Sequence, residues 1–451
     1  MTERIHRKIY YRIMFRLVSP LSIGSGDNRY TDKDVIRDSS GEPYIPATAF
    51  AGLLRHQAEQ NPELSREFRT YFGDVELPGA ENGGKGGPSE SRLIFCDAKM
   101  LPESRARYRT SVRDSVALDG KKSAKKGAKF DMEILEPGIF FRTYLEQSSR
   151  EGDRDYAELL VRRLLANGIA FGGKTTRGYG AIQIEEVQTA EFDLSKEAGA
   201  DAWIRFDLRQ DAGWSPLRGE MEGAGRQRNA LRLSLRQRGG ISIRKYTTEL
   251  SADRAAQPDY SQLTVTGYDE QGKAVPVPVI PGTSWAGAIR HRARELGLGA
   301  ESEERLFGIV RAEKNANQKK TKSALRFGES QIQGAAEKIL ARNAIDRFSG
   351  GPVDGALFTE STYYGGTTEL VITFETGRSM TEPEQRILAA VLSDLHHGFL
   401  AVGGETSIGR GLFEITAVNG ESLSGEENIY QRLSDEMQEL WGNQQGVPGN
   451  E

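Results

Sequence analysis

One glycine-rich stretch occurs twice in this chain, and that repeat constrains the fold more than any other feature of the sequence. The first copy, GGKTTRGYG, occupies residues 172–180, and the second, GGETSIGRG, occupies residues 403–411. Glycine lets the backbone take a positive φ and approach another group closely, and successive turn amides can cradle an anion. A single turn of this kind is usually no more than a turn. Its recurrence predicts that the chain contains two copies of one folding unit.

The segments around the two copies also match, which extends the repeat over most of the chain. Each copy follows an amphipathic pattern that predicts a helix (157–166 and 385–396) and precedes a pattern that predicts a strand (181–187 and 412–418). Farther upstream, IPATAFAGLLRH matches IPGTSWAGAIRH 235 residues later, whereas the glycine-rich copies lie 231 residues apart. Because the offset drifts so little, the same elements recur in the same order. Thr48 is the predicted N-cap of the upstream helix.

The length and the order of elements predict the domain organisation. With 451 residues the chain is too long for one ordinary core, and it predicts two domains of roughly 200 residues each. Each copy runs through a strand, a polar loop, a helix, further strands, a second helix, the glycine-rich turn and a last strand, which is an α+β unit of ferredoxin-like type. We predict domains at 1–190 and 229–420, a connector at 191–228, and a tail at 421–451 with one amphipathic helix at 427–441.

The composition excludes several classes of protein. No apolar run reaches the roughly 18 residues of a membrane helix, and the N-terminus lacks the apolar segment of a signal peptide, so we expect a cytoplasmic protein without a membrane span. The single cysteine, Cys96, excludes an intramolecular disulfide and a multi-cysteine zinc site. The net charge of −4 does not indicate a nucleic-acid-binding protein, so such a surface would need local clustering of basic residues.

The motifs, taken in order, resemble a known family. The first strand ends in a glycine-containing turn, and an aspartate-bearing loop closed by DVIRD at 34–38 follows it. Ile-Pro-x-Thr then precedes the helix, Phe-Gly and a strand containing FCDA come next, and the unit ends with Gly-Gly-x-Thr-x-x-Gly-x-Gly. The ordered set, over about 1–187 and 231–418, resembles the RAMP superfamily. More narrowly, it is similar to the Cas7-like (Csm3-type) backbone subunits of type III CRISPR effector complexes, here two fused in one chain.

The resemblance implies a fold and a set of partners. The fold would be α+β, with two tandem modified ferredoxin-like (RRM-like) domains that each carry a thumb-like hairpin insertion and a glycine-rich loop. The chain would hold a guide crRNA within a filament, and the hairpins would wedge into the guide–target duplex. The implied partners are crRNA, target RNA and other subunits of a type III complex, namely Cas10, Cas5-like, Cas11-like and further Cas7 subunits.

The resemblance also places target-RNA cleavage on an aspartate in the loop after the first strand, with a divalent metal such as Mg²⁺ or Mn²⁺ as cofactor. Asp32 stands at that place, three residues before Val35, and is the implied catalytic and metal-binding residue. Asp259 is the nearest equivalent in the second copy, although its loop (244–279) is longer and the motif around it is one residue out of register. Such a carboxylate can bind the metal or accept the proton of a 2′-hydroxyl. Loop aspartates are also common turn formers.

Basic residues and the glycine-rich turns are the candidates for contact with RNA phosphates. The lysine-rich segment 120–129 is predicted to be a flexible loop, which either is a solvated tip or tracks the RNA, and Phe130 and Met132 after it can pack against a base. In the second copy Phe348 and two nearby arginines offer an apolar wedge and charge. The expected RNA-contacting residues are Arg55, His56, Lys121, Lys122, Lys125, Lys126, Lys174, Thr175, Arg177, Arg290, His291, Arg342, Arg347, Thr406 and Arg410.

Two other functions stay open at this point. A purely structural filament subunit would hold RNA and leave cleavage to other subunits. A guide-processing endoribonuclease would act without partners on a precursor RNA and would depend on His56 or His291, which recur at equivalent helix positions. An Arg-His pair on a helix is more often a surface or packing pair, so the histidines are assigned to phosphate contact.

Overall fold

The computed structural model describes most of the chain. It describes residues 4–24, 26, 30–59, 61, 63–73, 90–118, 124–167, 169–217, 230–245, 258–268, 273–308, 321–375, 378–425 and 427–442, and of residues 114–118, 124–129, 166–167 and 268 it describes the backbone alone. No helix within these ranges is both long and apolar enough to cross a membrane.

The strands alternate with helices along the chain. The strands are β1 (Arg7–Leu17), β2 (Tyr44–Ile45), β3 (Leu93–Phe95), β4 (Ala98–Met100), β5 (Thr110–Leu118), β6 (Ala124–Leu135), β7 (Phe140–Ser149), β8 (Ile169–Ala170), β9 (Ala181–Asp193), β10 (Ser215–Pro216), β11 (Ala230–Arg238), β12 (Gly240–Ile241), β13 (Tyr260–Ser261), β14 (Thr264–Tyr268), β15 (Ala274–Ile280), β16 (Leu325–Phe327), β17 (Ser330–Gln331), β18 (Ala336–Ile345), β19 (Pro352–Tyr364), β20 (Thr367–Phe374), β21 (Leu412–Val418) and β22 (Glu421–Ser422).

The helices include one pair in each copy that matches the predicted amphipathic segments. They are α1 (Ala47–Glu59), α2 (Phe68–Phe72), α3 (Pro102–Arg105), α4 (Tyr156–Asn167), α5 (Glu197–Arg205), α6 (Gly282–Glu295), α7 (Ala300–Phe307), α8 (Glu382–His397) and α9 (Ile429–Trp441), and single 3₁₀ turns lie at Thr175–Arg177 and Thr406–Ile408.

The chain divides into two compact units, here called the first and the second unit. The first unit contains Met1–Arg113, Asp131–Gly173 and Tyr179–Gln227, and the second contains Asp114–Phe130, Lys174–Gly178 and Arg228–Glu451. Each unit has a sheet and a hydrophobic core of its own.

The central strand of each sheet is the first long strand of the copy. In the first unit β1 lies between β7 and β9 and pairs antiparallel with both, while β3 and β4 pair with the far side of β7. In the second unit β11 lies between β20 and β21 in the same way, and β16 pairs with the far side of β20. This order, with the first strand between the last strand and the strand that returns before the second helix, is that of a ferredoxin-like sheet. Both units are therefore α+β domains of modified ferredoxin-like type.

The repeat preserves an irregularity as well as a pattern. The pairing of β1 with β9 shifts between Met14 and Phe15, and the pairing of β11 with β21 shifts between Ser234 and Leu235. Each member of the second pair follows its counterpart by 220 residues. The extra residue lies on the last strand of each pair, at Glu185 in β9 and at Thr416 in β21. A β-bulge bends the strand that carries it and increases the local twist, so the last strand bends at the same position in both units.

The helices cover one face of each sheet with aromatic side chains. In the first unit Phe15 of β1 packs between Phe50 of α1 and Phe141 of β7, with ring centroids 5.7 Å apart in both contacts. In the second unit Trp285 of α6 packs on Phe413 of β21, with ring centroids 5.5 Å apart. All five side chains are buried, and burial of large apolar side chains is the main favourable term in folding.

Segments outside the two repeats pack onto these sheets. Residues 191–217, which the sequence analysis assigns to a connector, complete β9 and form α5, whose Trp203 donates a hydrogen bond to the Tyr10 hydroxyl of β1 (2.8 Å). In the tail, α9 buries Met437 and Trp441 in the core of the second unit. The connector and the tail are therefore parts of the folded units over these residues.

Two local predictions are wrong. Thr48 is not an N-cap, because α1 begins at Ala47, whose amide donates instead to the Asp97 carboxylate (2.8 Å). The lysine-rich segment is not a loop throughout, because β6 begins at Ala124 and pairs with β5. At Ala47 a contact with a distant segment decides the local structure, whereas β6 pairs with the neighbouring strand β5 although its lysine-rich composition is typical of a loop. Residues 119–123 lie outside the described residues.

The last glycine of each glycine-rich turn is required by close packing. Gly180 and Gly411 both have a φ of 76°. A Cβ built on Gly180 would lie 1.9 Å from the Phe171 carbonyl oxygen, and one on Gly411 would lie 2.0 Å from the Val402 carbonyl oxygen. No side chain fits at either position without movement of the backbone.

The second turn offers a matched test of this packing requirement. Gly411→Ala should destabilise the second unit by roughly 3 kcal/mol, because left-handed strain of about 1–2 kcal/mol adds to the disruption of the hydrogen bond from the Val402 amide to the Gly411 carbonyl oxygen. Gly409→Ala is the control, since Gly409 has a similar φ of 84° and open space around a built Cβ. Thermal unfolding of both variants measures the difference, and equal losses would contradict the packing argument.

Candidate functional site

The loop after the first strand closes in the same way in both units. An antiparallel bridge ties the chain beyond the first strand to Val35 in the first unit and to Gln262 in the second. Asp32 lies three residues before Val35, and Asp259 lies three residues before Gln262. The two aspartates therefore share one structural register, and the one-residue mismatch read from the sequence is absent from the structure.

Each loop aspartate is fastened to a distant strand by a reciprocal pair of hydrogen bonds, called here the clamp. In the first unit the Asp32 amide donates to Asp131 Oδ1 (2.8 Å) and the Asp131 amide donates to Asp32 Oδ2 (3.0 Å). In the second unit the Asp259 amide donates to Thr359 Oγ1 (3.1 Å) and the Thr359 amide donates to Asp259 Oδ2 (2.7 Å). The clamp thus keeps its geometry although a carboxylate is replaced by a hydroxyl.

Two other aspartates in the described part of the first loop, Asp34 and Asp38, accept hydrogen bonds from backbone amides of that loop. Asp34 is buried and accepts hydrogen bonds from the amides of Tyr30 and Thr31 (3.1 and 2.9 Å) and from the Thr31 hydroxyl (2.8 Å). Asp38 accepts from Lys99 (3.1 Å), and this hydrogen bond is the main reason that the pKa of Asp38 lies below its usual value. These two carboxylates are turn formers, in contrast to Asp32.

Glu133 supports the loop from the strand that carries the clamp. Its Oε2 accepts hydrogen bonds from the Val35 amide and from Arg37 (2.9 Å each), and its Oε1 accepts a second bond from Arg37 (2.5 Å). Burial is the largest influence on the pKa of Glu133 and raises it, but the hydrogen bonds from Arg37 and the Val35 amide outweigh burial and leave the pKa below its usual value. The ionised carboxylate therefore braces the loop close to Asp32.

The glycine-rich turn lies against the chain that leads into this loop. The Gly173 amide donates to the Ser22 carbonyl oxygen (2.7 Å), and the Gly404 amide donates to the Ser242 carbonyl oxygen (2.8 Å). At these two positions the turn amide already donates its hydrogen bond to a backbone carbonyl oxygen, so it does not form part of an anion-binding turn. The turn positions the loop.

The sequence of residues 168–175 also matches the P-loop pattern G-x-x-x-x-G-K-T. A P-loop requires a strand before the glycine-rich segment and a helix after it. Here the segment follows α4 and leads into β9. The match therefore does not indicate a nucleotide site.

The second unit contains a buried ion cluster beside its clamp. The Glu360 side chain is 3% exposed and pairs with Arg342 and with Arg410 (3.4 Å to Arg410), while Arg342 also donates to Glu405 (2.5 Å). The hydrogen bond to Glu405 is the main reason that the pKa of Arg342 is raised. Arg342 is held between two carboxylates and the Arg410 side chain is only 8% exposed. Contact of these two arginines with RNA phosphates stays a prediction.

The first unit fills the same place with apolar side chains. Met132 and Tyr179 stand where the second unit has Glu360 and Arg410, and they pack with Ile134 in a small buried cluster. The same space is therefore filled by apolar side chains in the first unit and by paired charges in the second.

The basic residues expected on the first helix of each copy lie at least partly on the surface. His56 of α1 is exposed, and Arg55 beside it is half-buried. In α6, His291 Nε2 lies 3.2 Å from a glutamate one turn away, and Arg290 Nε lies 2.6 Å from a buried glutamate of α7. Their contact with RNA stays a prediction.

The hairpin of β18 and β19 presents exposed apolar side chains. Phe348 at its tip is 100% exposed, and Arg347 beside it is also exposed. Ile339, Ile345 and Leu357 along the two strands are each more than 60% exposed (67, 68 and 67%). Contiguous apolar exposure of this kind marks a binding surface.

The corresponding lysines of the first copy are only partly within the structure. Lys121 and Lys122 lie outside the described residues, and of Lys125 and Lys126 only the backbone, in β6, is described. Their contact with RNA stays a prediction.

The remaining candidates lie at the glycine-rich turns. The Lys174 ammonium lies 3.7 Å from the centroid of the Phe130 ring, a cation–π contact. Thr175, Arg177 and Thr406 are half-buried in the two 3₁₀ turns. Their contact with RNA also stays a prediction.

The donors near the loop aspartates restrict how a metal could bind. Among the described residues, no group of three or more His, Cys, Asp and Glu side chains could hold a metal ion. The clamp places Asp131 beside Asp32, and it places the hydroxyl of Thr359 beside Asp259. Mg²⁺ is usually bound by one or two carboxylates, several waters and substrate phosphates. The donor set fits a metal whose coordination is completed by RNA.

The sequence analysis does not identify the distant members of this site. Asp131, Glu133 and Thr359 lie about 100 residues from the loop that they hold and belong to no recognised motif. One weak signal is present, since Phe130 precedes Asp131 and Phe358 precedes Thr359. Only the folded chain shows that these positions correspond.

Comparisons with known proteins agree with the duplicated fold. A family model described as the RAMP superfamily matches residues 14–183 and 264–414, which together are more than half of the chain. No curated protein matches this chain. Among solved structures, a chain from "Cryo-EM structure of the Type III-B Cmr-beta bound to cognate target RNA" is similar over 39% of this chain and 96% of its own length, with 11% identity and a TM-score of 0.31. A likeness at that level carries no argument.

The ion cluster of the second unit can be tested against its apolar counterpart. Glu360→Met should destabilise the second unit by about 3 kcal/mol, because it removes the nearer carboxylate partner of the buried Arg410 and leaves only Glu405 at 4.0 Å. The double variant Glu360→Met/Arg410→Tyr, which reproduces Met132 and Tyr179 of the first unit, should recover most of that loss. Calorimetry measures both, and a double variant no more stable than the single one would contradict the equivalence of the two clusters.

The clamp can be tested by backbone hydrogen exchange. Thr359→Val keeps the shape of the side chain but removes the acceptor for the Asp259 amide, so exchange of that amide should speed up by about fivefold, the effect of one lost hydrogen bond of roughly 1 kcal/mol. Thr359→Ser keeps the hydroxyl and should leave exchange close to that of the parent protein. Unchanged exchange in the valine variant would show that the hydrogen bond does not hold the loop.

Proposed function

Because the chain belongs to the RAMP superfamily, we propose that it is a double Cas7-like backbone subunit of a type III CRISPR ribonucleoprotein. In this role it binds a guide crRNA and cleaves complementary target RNA at one site in each unit. Its further partners in this proposal are the other subunits of such a complex, of Cas10, Cas5-like, Cas11-like and Cas7 type.

The observation that supports cleavage is the clamped, exposed aspartate, which recurs at one register in both units. A loop aspartate that only forms a turn binds its own loop, as Asp34 does. Asp32 and Asp259 are exposed and bind a strand 99 or 100 residues away. A reactive group that is held from outside its own loop has a fixed position relative to a substrate. Such positioning is a large part of the rate acceleration that an active site provides.

The chemistry proposed for these aspartates is proton transfer during in-line cleavage. A 2′-hydroxyl oxygen of the target RNA attacks the adjacent phosphorus, and the bond from phosphorus to the 5′ oxygen breaks. The carboxylate accepts the 2′-hydroxyl proton, and solvent supplies a proton to the departing 5′ oxygen. The products are a 2′,3′-cyclic phosphate and a 5′-hydroxyl end.

A divalent metal is part of the proposal, and the chain would hold it differently in the two units. When bound, Mg²⁺ or Mn²⁺ would offset negative charge on the phosphate. In the first unit Asp32 and Asp131 would hold it together with RNA oxygens. In the second unit Asp259 would do so with one carboxylate fewer, because Thr359 replaces the second one.

Binding of the guide–target duplex is assigned to the hairpin and to the basic helix faces. Phe348 and the exposed apolar side chains behind it suit a wedge between stacked bases, since base–aromatic stacking contributes roughly 1–3 kcal/mol per base. Arg347, Arg55 and His56 suit contact with phosphates, which carry most of the affinity for RNA without reading its sequence.

Cleavage by each unit can be separated in a reconstituted complex with guide and target RNA. Asp32→Asn should abolish one set of cleavage products and Asp259→Asn another, because an amide cannot accept the 2′-hydroxyl proton as a carboxylate does. Sequencing gels of end-labelled target measure the cuts, and an assay in a metal chelator measures the dependence on metal.

Asp38→Asn is the matched control for this experiment. Asp38 lies in the same loop but accepts hydrogen bonds from the amides of Ser40 and Glu42 (2.9 and 3.2 Å), which asparagine can also accept, so all cuts should persist. If both loop variants kept every cut while binding the guide normally, the chain would be a structural subunit and cleavage would belong to its partners.

A further inference from the structure

A lysine of the first unit is seated beside the loop aspartate by two glycines. Lys33 follows Asp32, and its side chain runs across Gly24, where a built Cβ would lie 2.6 Å from Lys33 Cε. A Cβ built on Gly173 of the glycine-rich turn would lie 2.7 Å from Lys33 Nζ. The absence of side chains at both glycines leaves room for this lysine, which is the residue that follows the aspartate.

The second unit exchanges the residue types at two of these positions. Arg244 stands where the first unit has Gly24, and Tyr260 stands where it has Lys33, next to Asp259. The Arg244 guanidinium lies 3.9 Å from the centroid of the Tyr260 ring. A cation is thus again present at the residue that follows the aspartate, but it comes from the opposite side of the bridge.

A structural role, in which Arg244 only neutralises a nearby acid, accounts for Arg244 by itself but not for the presence of a cation in both units. Arg244 Nη2 lies 3.5 Å from Glu405, so its charge could serve that acid alone. Glu405, however, already accepts a hydrogen bond from Arg342 (2.5 Å). In the first copy of the glycine-rich stretch the position of Glu405 is Lys174, so no acid at this position calls for a cation, and Lys33 is present nonetheless. What the two units share is the cation beside the aspartate.

We propose that Lys33 and Arg244 are equivalent phosphate-contacting cations, each of which binds a non-bridging oxygen of the RNA phosphate that is cut in its unit. This proposal rests on the proposed cleavage of RNA at Asp32 and Asp259. It adds a residue to each site that neither the repeat alignment nor a shared motif assigns, because the two cations occupy different positions in the sequence.

The physical need for such a cation follows from the charges at the site. An aspartate repels the phosphodiester that it must approach, and negative charge builds up on the phosphate oxygens during in-line attack. A positive charge a few ångströms away offsets both effects, and it is most effective when it is held in place before the reaction. The glycine groove around Lys33 and the aromatic face beneath Arg244 both restrict the side chain in this way.

The test uses the reconstituted complex, in which the cuts at the two sites are measured separately. Lys33→Met and Arg244→Met should each slow the cut at their own site by about 100-fold, as loss of one preorganised charge-stabilising group typically does, and leave the other cut unchanged. Lys33→Arg and Arg244→Lys keep the charge and should retain most of the rate, which separates loss of charge from misfolding.

Transplanting the arrangement of the second unit gives a stricter test. Lys33→Tyr alone should lose the first cut, and Gly24→Arg/Lys33→Tyr should recover it in part, because the arginine can then lie on the new tyrosine ring as Arg244 lies on Tyr260. Failure of the double variant to exceed the single one, with both folded as judged by calorimetry, would overturn the equivalence of the two cations.

Target binding provides a readout that does not depend on cleavage. In the Asp32→Asn/Asp259→Asn background, Lys33→Met should reduce the slope of log affinity against log salt by about 0.7, as expected for one lost phosphate contact on a single strand. If the aspartate variants stop cleavage while the methionine variants keep both the rate and the salt slope, the cation proposal fails and the proposed function stands. If the aspartate variants still cut, the proposed function itself fails.

Discussion

Both units depend on the close approach of the glycine-rich turn to the chain that leaves the first strand. A Cβ on Gly172 would lie 2.4 Å from the Ser22 carbonyl oxygen, and one on Gly403 would lie 2.7 Å from the Ser242 carbonyl oxygen. Contact between two backbones leaves no space for side chains and fixes the separation of the two segments to within a few tenths of an ångström. The loop that carries the aspartate starts from this contact, so its first fixed point is set by backbone geometry. The clamp supplies the second fixed point.

A site that is positioned by backbone contacts tolerates change in the side chains around it. That tolerance explains why the space behind the clamp holds Met132 and Tyr179 in one unit and Glu360 and Arg410 in the other. The two solutions are not interchangeable one residue at a time, because a lone buried charge is far more costly than either a complete ion pair or a complete apolar contact. Drift from one to the other must therefore pass through paired changes, and the two copies now differ at several neighbouring positions together.

The sequence was sufficient to predict the duplication, the α+β class and the central elements of each unit. Those features rest on periodicity and on glycine spacing, which are local and repeat in register, and α8 and β21 lie close to where the patterns place them. The contact of the Ala47 amide with Asp97 was not predictable, because it depends on a partner 50 residues away in the chain. The strand at 124–129 was missed because its lysine-rich composition is typical of a loop, although it pairs with the neighbouring strand β5.

The same limit applies to the candidate site. Asp32 could be found from its loop, but its partner Asp131 could not, since a carboxylate on a strand 99 residues away carries no local mark of its role. The burial of Arg410 was hidden for a related reason, because a basic residue in a glycine-rich turn looks the same in sequence whether it faces solvent or a buried acid. The proposed equivalence of Lys33 and Arg244 is also hidden from an alignment, because the two cations stand at different positions of the sequence.

The clamp makes the two sites alike in shape and unlike in charge. In the first unit two carboxylates lie side by side, whereas in the second the Thr359 hydroxyl donates a hydrogen bond to Asp259 (3.2 Å) and adds no charge. In the proposed function, a phosphate that approaches the first site would therefore meet one more negative charge, and its approach would depend more strongly on cations, whether bound metal or the side chain of Lys33. The second site would need less added positive charge, because it has a single carboxylate and Arg244 brings a permanently charged guanidinium to it. The duplication has kept one backbone arrangement and changed how much positive charge each copy needs.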